Sequence, residues 1–246
     1  MKKLFIMALV VFVLYTAFSR LNAHSEPSNN SKGESGSFNL TAQNAVLIDE
    51  ETGEILYEKK SYTKCYPAST TKLLTALVAL DYAHADEIIT VGDEANLAAP
   101  DSSKAGIRYG EQLSLEQLLN SLLIPSGNDA AYTIAAYIGR KASGGKALSE
   151  RDAVDHFCNL MTAKAKKLGA RDSNFTNPDG YQDEAHYTTS YDMALIAKEA
   201  MTHAEIRNIV IQTGYRLPDI KANEFRKREC HASPLLSEYQ QADSAR

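Results

Sequence analysis

Ser69 and Lys72 stand three residues apart in Pro67-Ala68-Ser69-Thr70-Thr71-Lys72-Leu73-Leu74, where an apolar run begins. Residues three apart on a helix share a face, so the lysine amine can reach back to the serine hydroxyl. A serine alcohol needs a base to become a nucleophile, and a lysine is a base only while its amine is neutral. Two effects favour the neutral amine here: burial disfavours the ammonium, and so does the positive end of the helix dipole within one turn. The same first turn carries backbone N–H groups without intrahelical partners, that of Ser69 included, which could form half of an oxyanion hole. The plainer alternative is a helix cap followed by a solvated lysine. Against it stands the run Leu73, Leu74, Ala76, Leu77, Val78, Ala79 and Leu80, which is apolar on every side of a 3.6-residue wheel and so belongs in an interior. A lysine one turn into such a helix needs a partner, because an unpaired buried charge costs several kcal/mol, roughly.

Ser126-Gly127-Asn128 forms the second group. Ser114 opens a helix with a capping-box pattern to Gln117, and Leu115, Leu118, Leu119, Leu122 and Leu123 follow the spacing of a core stripe until Pro125 stops it. A further helix resumes from about Asp129 through Ile138, which leaves the Ser-Gly-Asn triplet in the corner. These are turn residues and can be punctuation alone. If the corner faces inward, the Ser126 hydroxyl can relay a proton beside Lys72, and the Asn128 amide can hold both the lysine and a substrate carbonyl.

The elements that must position these groups follow from pattern. Ala45–Asp49 and Glu54–Glu58 are short strand-like runs joined by a turn ending in Gly53, a β-hairpin. Later helices are predicted over Glu150–Leu168 and Thr189–Met201, separated by the turn-rich Asn177-Pro178-Asp179-Gly180. Residues 1–23 read as a secretory leader, with Lys2 and Lys3 before an apolar stretch from Leu4 to Phe18. Leu21 in place of a small residue leaves an uncleaved membrane anchor open. Residues 24–37 are a polar linker, and the folded body is predicted to begin near Phe38. A net charge of -5, from 26 basic and 31 acidic residues, comes without a basic block, which argues against nucleic acid as a partner. No phosphate-cradling glycine loop and no His/Cys cluster at metal-ligand spacing is present, so no cofactor is expected. Cys65, Cys158 and Cys230 are odd in number and widely spaced, and are read as packing residues. His84 reads as an exposed helix end and His156 as packing; His186 and Tyr187 either anchor a loop or take a direct catalytic part.

Together "PASTTKLLTA", "LLIPSGNDAA" and "NPDGYQDEAHYTTSYDMALIA" resemble the serine D-alanyl-D-alanine carboxypeptidases, the low-molecular-mass penicillin-binding proteins. The resemblance covers roughly residues 37–219. It implies an α+β fold of the DD-peptidase/β-lactamase type: an N-terminal β-hairpin, a buried central helix against an antiparallel sheet, and a helical subdomain carrying Ser126 and Asn128. It also implies Ser69 as the acylated nucleophile, Lys72 as general base, Ser126 as relay and Asn128 as substrate contact. The implied partners are a peptidoglycan stem peptide as substrate and β-lactams as covalent inhibitors. Class A β-lactamases share the Ser-x-x-Lys logic but use a Glu-x-x-Leu-Asn glutamate after the second motif. Here Glu116 to Asn120 fits that pattern ahead of Ser126, within the leucine stripe, and reads as structure.

The family's third motif, Lys-Thr-Gly on a strand beside the nucleophile, does not occur. Gln212-Thr213-Gly214 lacks the lysine and is followed by no strand-like apolar run. From Lys221 the sequence is polar and aperiodic, and nothing in it is expected to complete a sheet. The expectation is a carboxypeptidase cut short: a catalytic domain over 38–220 lacking its C-terminal strands, then an aberrant tail over 221–246. Apolar faces of the hairpin and of the Ser69 helix would then lie exposed or badly packed, with low stability and poor turnover. The alternatives are an inactive remnant that binds wall peptides and a β-lactamase-related acylase.

Overall fold

A computed structural model describes residues 40–217 and 228–231. The leader, the linker, Phe38 and the tail apart from 228–231 lie outside the described residues. In chain order the elements are β1 (Ala45–Ile48), β2 (Ile55–Lys59), α1 (Thr71–Tyr82), β3 (Ile88–Thr90), β4 (Gln112–Ser114), α2 (Leu115–Leu123), α3 (Asn128–Ala142), α4 (Glu150–Lys167), α5 (Ser190–Ala200), α6 (Ala204–Val210), β5 (Gly214–Leu217) and β6 (Arg228–His231). Short 3-10 turns over Ala68–Thr70 and Asp93–Leu97 complete the path. The architecture is α+β, with the helices forming the body.

At the centre lies α1. Leu74, Ala76, Leu77 and Ala79 are wholly inaccessible, as its all-round apolar sequence requires. Helices α2, α3, α4 and α5 enclose it, and the expected exposed or badly packed face is confined to the half-buried Leu73 and Leu80. The capping box opens α2 as expected: Ser114 Oγ accepts from the Gln117 N–H, and the Gln117 side chain accepts from the Ser114 N–H at 2.8 Å. The buried side chains Leu115, Leu118, Leu119 and Leu122 point inward from it. Helices α3 and α4 approach so closely that a Cβ on Gly139 would sit 2.0 Å from the Ala153 carbonyl oxygen.

The hairpin forms in the expected place, β1 and β2 pairing antiparallel around a turn in which Asp49 Oδ1 accepts from the Thr52 N–H and hydroxyl. It rests on α5 rather than on α1. Its outer face is exposed as expected, with Leu56 more than half accessible. The segment after β2 is fastened to the start of α5: the Tyr191 N–H and the Ser190 hydroxyl donate to the Ser61 carbonyl, and Cys65 and Thr188 exchange main-chain hydrogen bonds. This fastening aims the chain toward Ser69.

Two strand pairs were not foreseen. β3 pairs antiparallel with β4. β5 pairs antiparallel with β6, so a short strand does follow Gln212-Thr213 and residues beyond Lys221 do pair, but as a separate two-stranded ribbon that, among the described residues, completes no sheet with the hairpin. The reason is physical: a four-residue ladder is held by main-chain groups, which leave little trace in side-chain alternation.

Candidate active site

Ser69 sits in the 3-10 turn that leads into α1, one residue after Ala68, whose φ of 48° lies in the left-handed region. Such a conformation costs a non-glycine residue on the order of 1 kcal/mol and persists only where surrounding contacts impose it. Here Thr70 Oγ1 donates to the Pro67 carbonyl, and Gly180 presses against the Ala68 carbonyl from the other side. The Ser69 N–H donates to no acceptor outside its own turn among the described residues, as an oxyanion-hole donor must.

Lys72 is 2% exposed, and its amine donates to Ser69 Oγ at 3.2 Å and to the Asp179 main-chain carbonyl at 2.8 Å. Burial pulls its pKa from 10.5 down to about 8, against the opposing charges of Asp179 and Asp129. About a tenth of the molecules then hold a neutral amine at pH 7, a far larger fraction than an ordinary lysine offers.

The partner loop, Asn177-Pro178-Asp179-Gly180, is docked on α1 by its main chain. Thr75 Oγ1 donates to the Pro178 carbonyl at 2.6 Å, while Asn177 Oδ1 accepts from the Gly180 N–H and closes the turn. Gly180 has φ of 82°, and a Cβ there would lie 1.8 Å from Ala68 O. Behind the loop, His186 is buried with its Nδ1 accepting from the Thr176 N–H, so a neutral ring carries its proton on Nε2 and donates it to Thr71 Oγ1 at 2.9 Å. His186 therefore anchors the loop, the first of its two expected roles.

Burial lowers the His186 pKa from 6.5 to about 4. The unfolded chain takes up this proton near pH 6.5 and the folded chain resists, so the stability present above 6.5 is lost as the pH falls through about 4. That loss is about 3 kcal/mol. Urea unfolding across this window is expected to show it, with a flatter profile in His186→Gln; parallel profiles would refute the assignment.

Ser69 and Asp179 open on a cleft of about 190 Å³, whose other walls are Ser102 and Ser103, Asn128, and Gly180 with Tyr181. The Ser102–Ile107 segment is held by Asp129, whose carboxylate accepts from the Ala105, Gly106 and Ile107 N–H groups. The Asn128 N–H donates to the Ser103 carbonyl; the residue lines the cleft, and its carboxamide makes no hydrogen bond to the described residues. Across the mouth, the Tyr181 hydroxyl donates to Asp101. A larger open groove of about 500 Å³ between α4 and residues 174–176 contains no such serine–lysine pair.

The chemistry this arrangement can perform is acyl transfer: a hydroxyl beside a partly neutral amine, an amide donor at a strained turn, and a free carboxamide facing the same space. Known proteins point the same way. The profile of the D-alanyl-D-alanine carboxypeptidase family (Peptidase_S11) matches residues 29–229. The chain belongs to this D-alanyl-D-alanine carboxypeptidase family. Among its carboxypeptidase relatives, DacF of Bacillus subtilis is 35% identical over 168 residues, covering 67% of this chain and 40% of DacF. The carboxypeptidase of Streptomyces sp. strain K15 is 30% identical over 207 residues, covering 81% of this chain and 69% of the relative. The crystal structure of the Streptomyces K15 DD-transpeptidase superposes with a TM-score of 0.71 at 28% identity, over 81% of this chain and 77% of that one. The chain thus spans about two fifths of DacF, and the fold expected for a DD-peptidase is the one found.

Within this carboxypeptidase fold the four predicted residues are not equally placed. Ser69, Lys72 and Asn128 meet at or beside the cleft. Ser126 adopts φ of 59° at the corner, and its hydroxyl makes no hydrogen bond to Lys72. Asn128 does not hold the lysine; the Asp179 carbonyl does. Glu116 is exposed on α2, and its carbonyl accepts from the Asn120 side chain, in keeping with a structural part. Asp179 and Gly180 were read as a separator and as the head of the third family-like stretch but given no role at the site, although a glycine in an Asn-Pro-Asp-Gly turn was the available signal.

Proposed function

We propose that this chain is a serine-type acyl-transfer enzyme that removes the terminal D-alanine from peptidoglycan stem peptides. Ser69 Oγ attacks the carbonyl of the bond before that residue, Lys72 takes the hydroxyl proton as the O–C bond forms, and the same proton passes to the leaving amine as the C–N bond breaks. Water then hydrolyses the ester on Ser69. The Ser69 N–H supports the oxyanion, and Asn128 contacts the substrate carbonyl. Ser126 serves as a relay once the substrate has closed the corner on Lys72. The observation that carries this reading is the 3.2 Å approach of a buried amine, titrating at about 8, to the Ser69 hydroxyl. β-Lactams are expected to acylate the same oxygen. The leader at 1–23 suits an enzyme that works outside the cytoplasmic membrane, either released or tethered by that segment.

Incubation with a fluorescent penicillin, followed by peptide mapping, tests the reading. One label per chain at Ser69 is expected, with none in Ser69→Ala. A second arm follows D-alanine release from a D-Ala-D-Ala peptide. Equal labelling of wild type and Ser69→Ala would end the case for this nucleophile.

A further inference from the structure

Asp179 is 1% exposed. Its Oδ1 accepts from the Tyr181 N–H at 3.1 Å, whereas Oδ2 receives no hydrogen bond, and no other carboxylate oxygen among the described residues is both buried and unpartnered. Buried carboxylates ordinarily gather several donors, so an orphaned oxygen costs stability and calls for a reason. Nothing in the turn needs a carboxylate here. The turn itself is closed by Asn177, and the contact with the lysine is made by the Asp179 main chain.

The surroundings supply the reason. Lys72 reaches the Asp179 main chain from α1, and among the described residues it is the one cation whose charge lowers the Asp179 carboxyl, which burial raises. From α3 comes the Tyr132 phenol and from α4 the Cys158 thiol, both pushed up chiefly by burial and further by the Asp179 charge, so neither competes as a charged partner at neutral pH. Arg151 and Asp155 act on Tyr132, and Asp155 also acts on Cys158. Asp129 faces Lys72 from α3, but its own oxygens are occupied by the Ala105, Gly106 and Ile107 N–H groups. Among the described residues, Asp179 alone combines a main-chain contact with the base, at 2.8 Å, with a buried carboxylate oxygen that receives no hydrogen bond.

We propose that Asp179 is a positioning residue for the base, its buried carboxyl setting how readily the Lys72 amine accepts and returns the Ser69 proton. This rests on the reading of Ser69 as nucleophile and Lys72 as base. When the Ser69 proton moves to Lys72, an ammonium forms in a dry site, and the Asp179 charge offsets it through the low-dielectric interior. When the proton leaves with the departing amine, the balance is restored. Without that charge the amine would be neutral more often but a weaker base, and the ammonium of the acylation step would stand alone.

The test is a pH titration of Lys72 by NMR in protein carrying carbon-13 lysine and aspartate, with acylation by fluorescent penicillin measured over the same pH series. In Asp179→Asn, which keeps the main-chain carbonyl and an acceptor for the Tyr181 N–H, the Lys72 midpoint is expected to fall by about one unit. The acylation–pH curve should shift toward acid by the same amount with a lower plateau, and Asp179→Glu should restore part of the shift. An unmoved Lys72 midpoint in a folded Asp179→Asn protein overturns the inference. If that variant does not fold, the wild type decides: the Asp179 carboxyl resonance must inflect at the Lys72 midpoint, and its failure to do so overturns the inference equally. Absence of labelling at Ser69 in a wild type whose Lys72 midpoint still responds to Asp179 would sink the proposed enzymatic function and leave the coupling intact.

Discussion

Lys72→Met is expected to abolish acylation of Ser69 and, in the same protein, to raise stability. The first half follows from removing the only amine in reach of the hydroxyl among the described residues, a loss of a general base worth roughly a thousandfold in rate. The second follows from linkage. The Lys72 pKa falls from 10.5 to about 8 on folding. The unfolded chain therefore holds this proton more tightly between those values, so the folded state is at its best above 10.5 and loses stability as the pH drops toward 8. At pH 7 the full cost applies, about 3 kcal/mol. Methionine has a similar length and no charge to desolvate. Against this gain stand the hydrogen bonds to Ser69 and to the Asp179 carbonyl, the latter leaving a buried acceptor unpaired at about 1–2 kcal/mol, while the Asp179 carboxyl, already raised by burial, answers the loss of its cation by taking up a proton. A net gain of about 1–2 kcal/mol remains at pH 7, and it should shrink as the pH approaches 10. Urea unfolding of both proteins at neutral and alkaline pH measures the sign. A variant that is less stable at pH 7 would show that the amine is solvated rather than buried.

The second large effect is predicted for Gly180→Ala. A methyl group there would sit 1.8 Å from the Ala68 oxygen and 2.9 Å from Thr71 Oγ1, in a backbone conformation of φ 82° that alanine adopts at a cost. These atoms are main chain or tightly held, so the loop must lift from α1. Lifting it removes the Asp179 carbonyl from Lys72 and the Pro178 carbonyl from Thr75, and it releases Ala68 from the twist that presents Ser69. The expected outcome is a loss of about 2–4 kcal/mol in stability and a fall in acylation rate of roughly a hundredfold or more, by analogy with other displacements of about 1 Å at reacting groups. Stopped-flow labelling of the folded fraction separates the two effects. Wild-type labelling by folded Gly180→Ala would show that the loop does not set the geometry of the pair.

What the sequence revealed of this site depended on whether the information sits in side chains. The apolar run of α1, the Ser114–Gln117 box and the leucine stripe of α2 are side-chain patterns with a fixed period, and each element was legible to within a few residues. The Ser69–Lys72 couple was legible for the same reason. The second partner of Lys72 is a main-chain carbonyl, which every residue possesses, so no residue type could announce it. The twist at Ala68 was equally hidden, since alanine rarely adopts it and only the pressure of Gly180 explains it. Burial of α1 was legible and is found, but its pattern shows only that a helix is enclosed, not that α2, α3, α4 and α5 enclose it.

The hydrogen bond from Lys72 to Asp179 joins positions 107 residues apart in sequence. A chain that ends at α3 would carry the serine, the lysine and the asparagine but not the carbonyl that holds the amine, so on the proposed mechanism the base is complete only once the loop beyond α4 has docked.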